Sequence, residues 1–167
     1  MIKQRVGLVS SAVPHLLGGG RFIVDWLGTK LRADGHEVEV VFVPSIDDPD
    51  NLLEQMSAFR SMNFDEFDTI VTFRPPSHLI KHRRKICWFI HHIRVFYDLW
   101  ETQYNPWPDT AQMRAVRDTI RRFDTIALRE AYKCYALSGV VAQRMRTYNG
   151  IEADVLYAPL LDTQLFR

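Results

Sequence analysis

The chain has 167 residues, with 21 Lys+Arg against 20 Asp+Glu and a net charge of +1. Its 47% apolar and 25% charged residues are those of a globular domain. They exclude a disordered chain, a collagen and a disulfide miniprotein. So even a charge balance leaves no electrostatic footprint for nucleic acid, and no such partner is expected. This length holds one Rossmann-type domain, or half of an enzyme that closes a cleft between two of them. No apolar run approaches the ~20 residues of a membrane span. The start, Met1-Ile2-Lys3-Gln4-Arg5, leads to Pro14 and Gly18 to Gly20 without a cleavage pattern, so no signal peptide is expected. Cys87 and Cys134 sit in apolar stretches, as buried reduced thiols do. A cytoplasmic location is the expectation.

Strand and helix signals alternate along the chain. Val6 to Ser11 is a short apolar strand that opens into a loop punctuated by Pro14 and three glycines. From Arg21 to Ala33, Phe22, Val24, Leu27 and Leu31 fit one helical face, and Gly35 ends that helix. Glu37 to Val43 is a strand rich in β-branched residues. Asp50 or Asn51 caps a helix over Leu52 to Met62. Asp68 to Phe73 is a buried strand, broken by Pro75-Pro76-Ser77, with a short helix through Leu79 and Ile80. Lys85 to Ile90 is the next strand, followed by a polar, aromatic segment from His91 to Pro108. A long helix starts at Asp109 or Thr110 and runs to about Tyr132. Tyr135 to Leu137 is a strand, Gly139 to Tyr148 a helix, and Ala153 to Tyr157 a last strand. This order predicts an α/β fold: a Rossmann-like, doubly wound parallel sheet with helices on both faces.

In such sheets ligands bind beyond the carboxyl ends of the strands, and three places qualify. The first is Gly18-Gly19-Gly20-Arg21. Glycines admit a close ligand, and the following helix start offers N–H groups to an anion. The run lacks the third glycine of the dinucleotide fingerprint and the Gly-Lys-Ser/Thr of a phosphate loop. The second is His91-His92, released at the end of a strand, where imidazole can donate to a hydroxyl or phosphate or shuttle a proton. The third is residues 88–107, where Trp88, Phe89, Phe96, Tyr97, Trp100, Tyr104 and Trp107 cluster. They suit sugar rings or apolar tails, or else a satellite core under a long loop. Arg94 and Asp98 there either hold hydroxyls or pair with each other at i,i+4. No metal site is expected. Adjacent histidines splay apart, and His78 and His82, four residues apart, have nothing else in support. Arg114, Arg117 and Arg121 share a helical face, and Lys81-His82-Arg83-Arg84-Lys85 is a separate basic run. Such faces are either solvated or meet an anionic membrane surface.

The stretch from Gly18 to Val38, with Gly18, Gly19, Val24, Leu27, Leu31, Gly35, His36 and Val38 in register, resembles the opening of family-4 retaining glycosyltransferases of the GT-B fold. Cys87 to Trp100 resembles a motif of one branch of that family, in which a strand ends in His, then Arg, then Tyr-Asp-Leu-Trp. Ser138, Val141-Ala142-Gln143-Arg144 and Tyr148-Asn149-Gly150 are similar to a later stretch of it. Val155 to Leu160, with Asp162 and Phe166, resembles the strand and linker that close its first domain. The resemblance covers about the whole chain. It departs from the family at Arg21-Phe22, where Glu-Arg is usual, at Ile23, usually polar, and at Leu137, usually Asn.

The resemblance implies that residues 1–159 are the acceptor-side domain of a retaining, hexosyltransferase-like enzyme, with residues 160–167 starting an interdomain linker. The donor is a nucleotide-diphosphate sugar, with no further cofactor and no metal. His91 matches the catalytic position that contacts the donor sugar. Gly18, Gly19 and Gly20 face the donor's diphosphate and sugar. Arg21, His92, Arg94, Tyr97, Asp98 and Trp100 are acceptor-side candidates. The implied partners are a C-terminal donor-binding domain, not present in this sequence, and a glycan, lipid-linked or other acceptor. Peripheral contact with the inner face of a membrane through the basic faces fits the same picture. Two alternatives stay open: a non-catalytic subunit that pairs with a separate donor domain, and a stand-alone flavodoxin-like nucleotide-binding protein.

Overall fold

The computed structural model describes residues 2–15, 18–46 and 48–159. Strands β1 (Arg5–Ala12), β2 (Glu37–Pro44), β3 (Thr69–Thr72), β4 (Lys85–Phe89), β5 (Lys133–Ala136) and β6 (Asp154–Val155) form one sheet in the order β2-β1-β3-β4-β5-β6. Every pairing is parallel. Helices α1 (Gly19–Ala33), α2 (Pro49–Ser61), α3 (Ala111–Arg129) and α4 (Gly139–Arg144) make the connections. The step from β1 to β2 runs one way across the sheet and later steps run the other. Right-handed crossovers therefore put α1 on one face and α2, α3 and α4 on the opposite one.

Side-chain alternation along the strands follows that division. Val6 and Leu8 pack with Ile23 and Val24 of α1, beside Phe73 and Trp88. Val9 and Ile70 face the other way, onto Leu52 and Phe59 of α2 and Ile120 and Ala127 of α3. Cys87, Phe89 and Ala136 meet Val141 of α4 and Met145. The expected doubly wound α/β architecture is the one found.

Element ends differ from the sequence reading where capping decides. Helix α1 begins at Gly19, two residues earlier than expected, because extended Gly18 is its N-cap and its carbonyl accepts the Arg21 N–H. It ends where Gly35 takes the left-handed conformation (φ 88°). The cap of α2 is Asp48, which accepts the Asp50 N–H ahead of Pro49, a residue suited to a first helical position. Thr110 caps α3 by accepting the Met113 N–H, and α3 stops at Arg129, short of Tyr132. The expected helix 139–148 is divided. Ser138 caps α4, a wider π turn follows over Met145–Asn149, and Gly150 (φ 63°) closes it. The short helix near Leu79 is a 3-10 turn over Ser77–Leu79. The expected linker, residues 160–167, lies outside the described residues.

The aromatic segment is mostly core. Phe96, Tyr97 and Trp100 are buried in the α2/α3 layer, and Trp107 stacks on Phe96 at 5.0 Å. Tyr104 stays exposed. Burying such rings contributes roughly 1.5–3 kcal/mol each. The basic face of α3 is neither solvated nor open to a membrane as a whole. Arg121 Nε donates to the Phe96 carbonyl at 2.7 Å. Arg117 lies over the Trp100 ring at 4.7 Å. Both guanidiniums hold the aromatic segment against the helix. The run 81–85 is likewise not a uniform charged surface, for Lys85 is 1% exposed and its Nζ donates to the His78 carbonyl at 2.7 Å. Burial lowers the Lys85 pKa, opposed chiefly by Cys87 and Glu130. No helix among the described residues is long and apolar enough to cross a membrane.

Candidate functional site

The sheet order reverses between β1 and β3, and the crevice beyond the carboxyl ends at such a switch point is where ligands bind in open α/β sheets. A cavity of about 140 Å³ opens there. Its walls are Ser10, Ser11, Ala12 and Val13 from the end of β1, Gly18, Gly20 and Arg21 at the start of α1, Phe42 of β2, and Arg74 after β3. Arg21 and Arg74 are the cationic side chains among its described walls.

Each wall is set by local structure. The α1 N-terminus has no side-chain cap and no acidic residue in its first turn, so its leading N–H groups suit an anion. Neither Gly18 nor Gly19 has a positive φ. A Cβ on either meets nothing within 4 Å. Among the described residues, internal geometry thus demands glycine at neither position. Gly20 differs, since a Cβ there lies 3.2 Å from Ile90 Cδ1. Glycine there leaves room for the Ile90 side chain, just beyond β4, beside the start of α1.

Arg74 is held in place before any ligand arrives. Its backbone N–H donates to Ser10 Oγ at 3.4 Å, and its guanidinium donates to Ser11 Oγ at 2.8 Å. Ser11 Oγ also bonds to the Pro75 carbonyl. Arg21 is exposed and stacks over the Phe42 ring at 4.6 Å. Sequence reasoning found Arg21 but missed Arg74, Ser10, Ser11 and Phe42. The available signal was their place at strand ends, since Ser10-Ser11 closes β1 and Arg74 follows β3.

His91 stands at the end of β4, one residue beyond Ile90, and so near Gly20. It is half-buried. Its Nδ1 lies 2.7 Å from the His92 carbonyl oxygen. A carbonyl only accepts, so Nδ1 donates, and in the neutral ring Nε2 is the acceptor nitrogen.

The remaining candidates do not join this site. His92, Tyr97 and Trp100 are 0%, 3% and 7% exposed, which removes them from an acceptor surface in this conformation. His92 Nε2 bonds to Asn149 Oδ1 at 2.8 Å, and Tyr97 donates to Asp124 Oδ2 at 2.6 Å. Asp124 Oδ1 also bonds to His78 Nε2 at 2.8 Å, so these groups form a buried polar network under α3. Desolvation pushes the Tyr97 hydroxyl well up, and the Asp124 charge adds to it. Arg94 and Asp98 pair with each other at 2.8 Å, the second of the two expected outcomes, and Arg144 joins them at 2.9 Å. Partial burial pushes the Asp98 carboxyl up, but the bonds from Arg94 and the Arg144 charge outweigh it and hold it below its usual value. His82 Nε2 bonds to the Phe67 carbonyl at 3.0 Å, away from His78.

A larger, shallower depression of about 560 Å³ lies at the opposite, amino ends of the strands. There Arg83 sits 4.0 Å from Asp68, and Arg84 lies over the Tyr132 ring at 5.7 Å. Among the described residues, no group of three or more His, Cys, Asp or Glu is arranged to hold a metal ion. No protein-family model and no curated protein matches the chain in sequence.

Proposed function

We propose that this chain is the acceptor-side domain of a retaining glycosyltransferase that takes a sugar from a nucleotide-diphosphate donor. The observation that carries the reading is the closeness of Gly20 to Ile90, whose Cδ1 stands 3.2 Å from where a Cβ on Gly20 would lie. It brings the uncapped, glycine-led start of α1 and the histidine after β4 to one rim of the sheet. Loss of a nucleoside diphosphate builds charge on phosphate oxygens, which the N–H groups of the helix start would stabilise. An electron-poor sugar needs its hydroxyls held, and the half-buried His91 imidazole is the group assigned to hold one of them. The reading calls for a donor-binding domain, in the same polypeptide or in a partner, to grip the nucleotide and exclude water.

The test is His91→Ala in the assembled enzyme, with nucleoside diphosphate release as readout. The rate is expected to fall by about tenfold or more, equivalent to ~1.4 kcal/mol of lost transition-state contact. A smaller fall removes His91 from the chemistry. A second reading has its own observation: five of the six strands follow the flavodoxin-like order 2-1-3-4-5. A chain that purifies yellow, or that releases a tightly held nucleotide on denaturation, would establish that stand-alone reading and displace the first.

A further inference from the structure

We propose that Cys87 and Cys134 form an oxidative modification site, at which hydrogen peroxide converts the two thiols to a disulfide that ties β4 to β5. This chemistry is separate from sugar transfer. The two residues are direct partners in the parallel pairing of β4 with β5. Both pack in one core cluster, so both side chains leave the same face of the sheet. Neighbouring strands lie about 4.8 Å apart, inside the ~4.4–6.8 Å that a disulfide spans between α-carbons. Both cysteines are free thiols. As a thiol, Cys134 donates to the Leu128 carbonyl at 3.5 Å, a weak bond that its ionisation gives up.

The surroundings give the two sulfurs different parts. Lys85 precedes Cys87 by two residues on β4 and so shares its face. A hydrogen bond from the Cys87 S–H, with the charges of Lys85 and Lys133, holds the Cys134 thiol below its ordinary value against the effect of burial. Cys134 also keeps the small exposure of the pair, 7% against 0% for Cys87. It is therefore the attacking thiolate. Its sulfur takes one peroxide oxygen as the O–O bond breaks, and the other oxygen leaves as hydroxide and is protonated to water. Cys134 is then a sulfenic acid. The Cys134 thiolate had helped to keep the proton on Cys87, and that restraint ends when the neutral sulfenic acid forms. The Cys87 sulfur attacks the sulfenic sulfur, the S–O bond breaks, and the hydroxide leaves with the Cys87 proton as a second water. The two thiols lose two electrons and one peroxide becomes two waters.

The experiment exposes the whole folded chain to hydrogen peroxide at neutral pH, removes it, and alkylates the remaining thiols in denaturant. Intact mass and a non-reducing peptide map follow. The expected product is a monomer lighter by two hydrogens, unlabelled, with the Cys87 and Cys134 peptides joined until a dithiol reductant separates them. In Cys87→Ser, which keeps a hydrogen donor beside Cys134, dimedone is expected to trap the Cys134 sulfenic acid. In Cys134→Ser, trapping at Cys87 is expected to be slower by about tenfold or more. The proposal is overturned if both cysteines of the treated parent chain still take the label, or if the disulfide joins two chains. It is equally overturned if the link forms only after unfolding in urea, or if Cys87 is trapped as fast as Cys134. The parent chain alone decides the first three outcomes, so a variant that fails to fold leaves them intact.

Discussion

His92 couples the fold to protonation. The ring is fully buried, with Nε2 on Asn149 and Nδ1 without a hydrogen-bond partner. Burial lowers its pKa below the ordinary value, while the Asn149 bond and the Asp124 charge oppose the shift and His78 and Arg144 reinforce it. The unfolded chain therefore takes up the proton first as pH falls through about 6.5. The group's contribution is complete above that pH and is lost on the way down to the folded pKa. Urea midpoints are expected to fall between pH 7.5 and pH 5. His92→Gln should flatten that decline at a cost of ~1–3 kcal/mol at neutral pH. An unchanged slope in the variant would clear His92 of the effect. Cys87 stands in a comparable position. Cys134 beside it and full burial push its thiol well up, so it is held as the protonated, unreactive form. The sequence suggested surface roles for His92, Tyr97 and Asp98. Adjacency to His91 and an aromatic neighbourhood do not reveal that Tyr97 bonds to Asp124 of α3 and that Asp98 is braced by Arg144 of α4.

At the level of elements, two glycines separate close packing from helix propensity. Gly28 lies inside α1, where a Cβ would stand 3.4 Å from Leu8 and Val40 and 3.2 Å from the far end of the long Arg32 side chain. Those distances are tolerable, so Gly28→Ala is expected to stabilise by ~0.5–1 kcal/mol through helix propensity. Gly7 lies in β1 with the Phe67 ring 3.0–3.2 Å from a Cβ, and that ring is 1% exposed. Gly7→Ala should destabilise by ~1–3 kcal/mol through overpacking. Denaturant midpoints that move in the same direction for both would contradict this account of the packing. The elements themselves were legible because strand runs and capping residues are local signals. The motifs that carry the family resemblance prove to serve the elements. Gly35 turns the chain out of α1, and His36 Nδ1 accepts the Gln4 N–H, which ties the start of β2 to the start of β1. Ser138 caps α4, Val141 fills the core, Arg144 braces Asp98, and Gly150 closes the π turn. These residues explain why the sequence resembles a fold, and they say less about its chemistry.

On the scale of the whole molecule, the candidate site is, among the described residues, a rim with one wall. Gly18, Gly19 and Arg21 are exposed and His91 is half-buried, while the cavity beside them holds only a small group. The rim was partly legible, since Gly18 to Gly20, Arg21 and His91 all follow strands. Arg74 and Phe42 were not, because only the sheet order β2-β1-β3 brings three strand ends to one crevice. Stabilising a departing diphosphate needs fixed dipoles in a site that excludes water, and a rim open on one side keeps water in place. The 167-residue chain alone is therefore expected to turn over no nucleotide-sugar above spontaneous hydrolysis. The measurement is nucleoside diphosphate release across a panel of nucleotide-sugars, by chromatography. On the proposed transferase reading, supplying a donor-binding domain should raise release toward ordinary enzyme rates of about 1–10³ s⁻¹. Turnover at such a rate by the chain alone would mean that the rim is already a complete active site, and the half-cleft reading would fall.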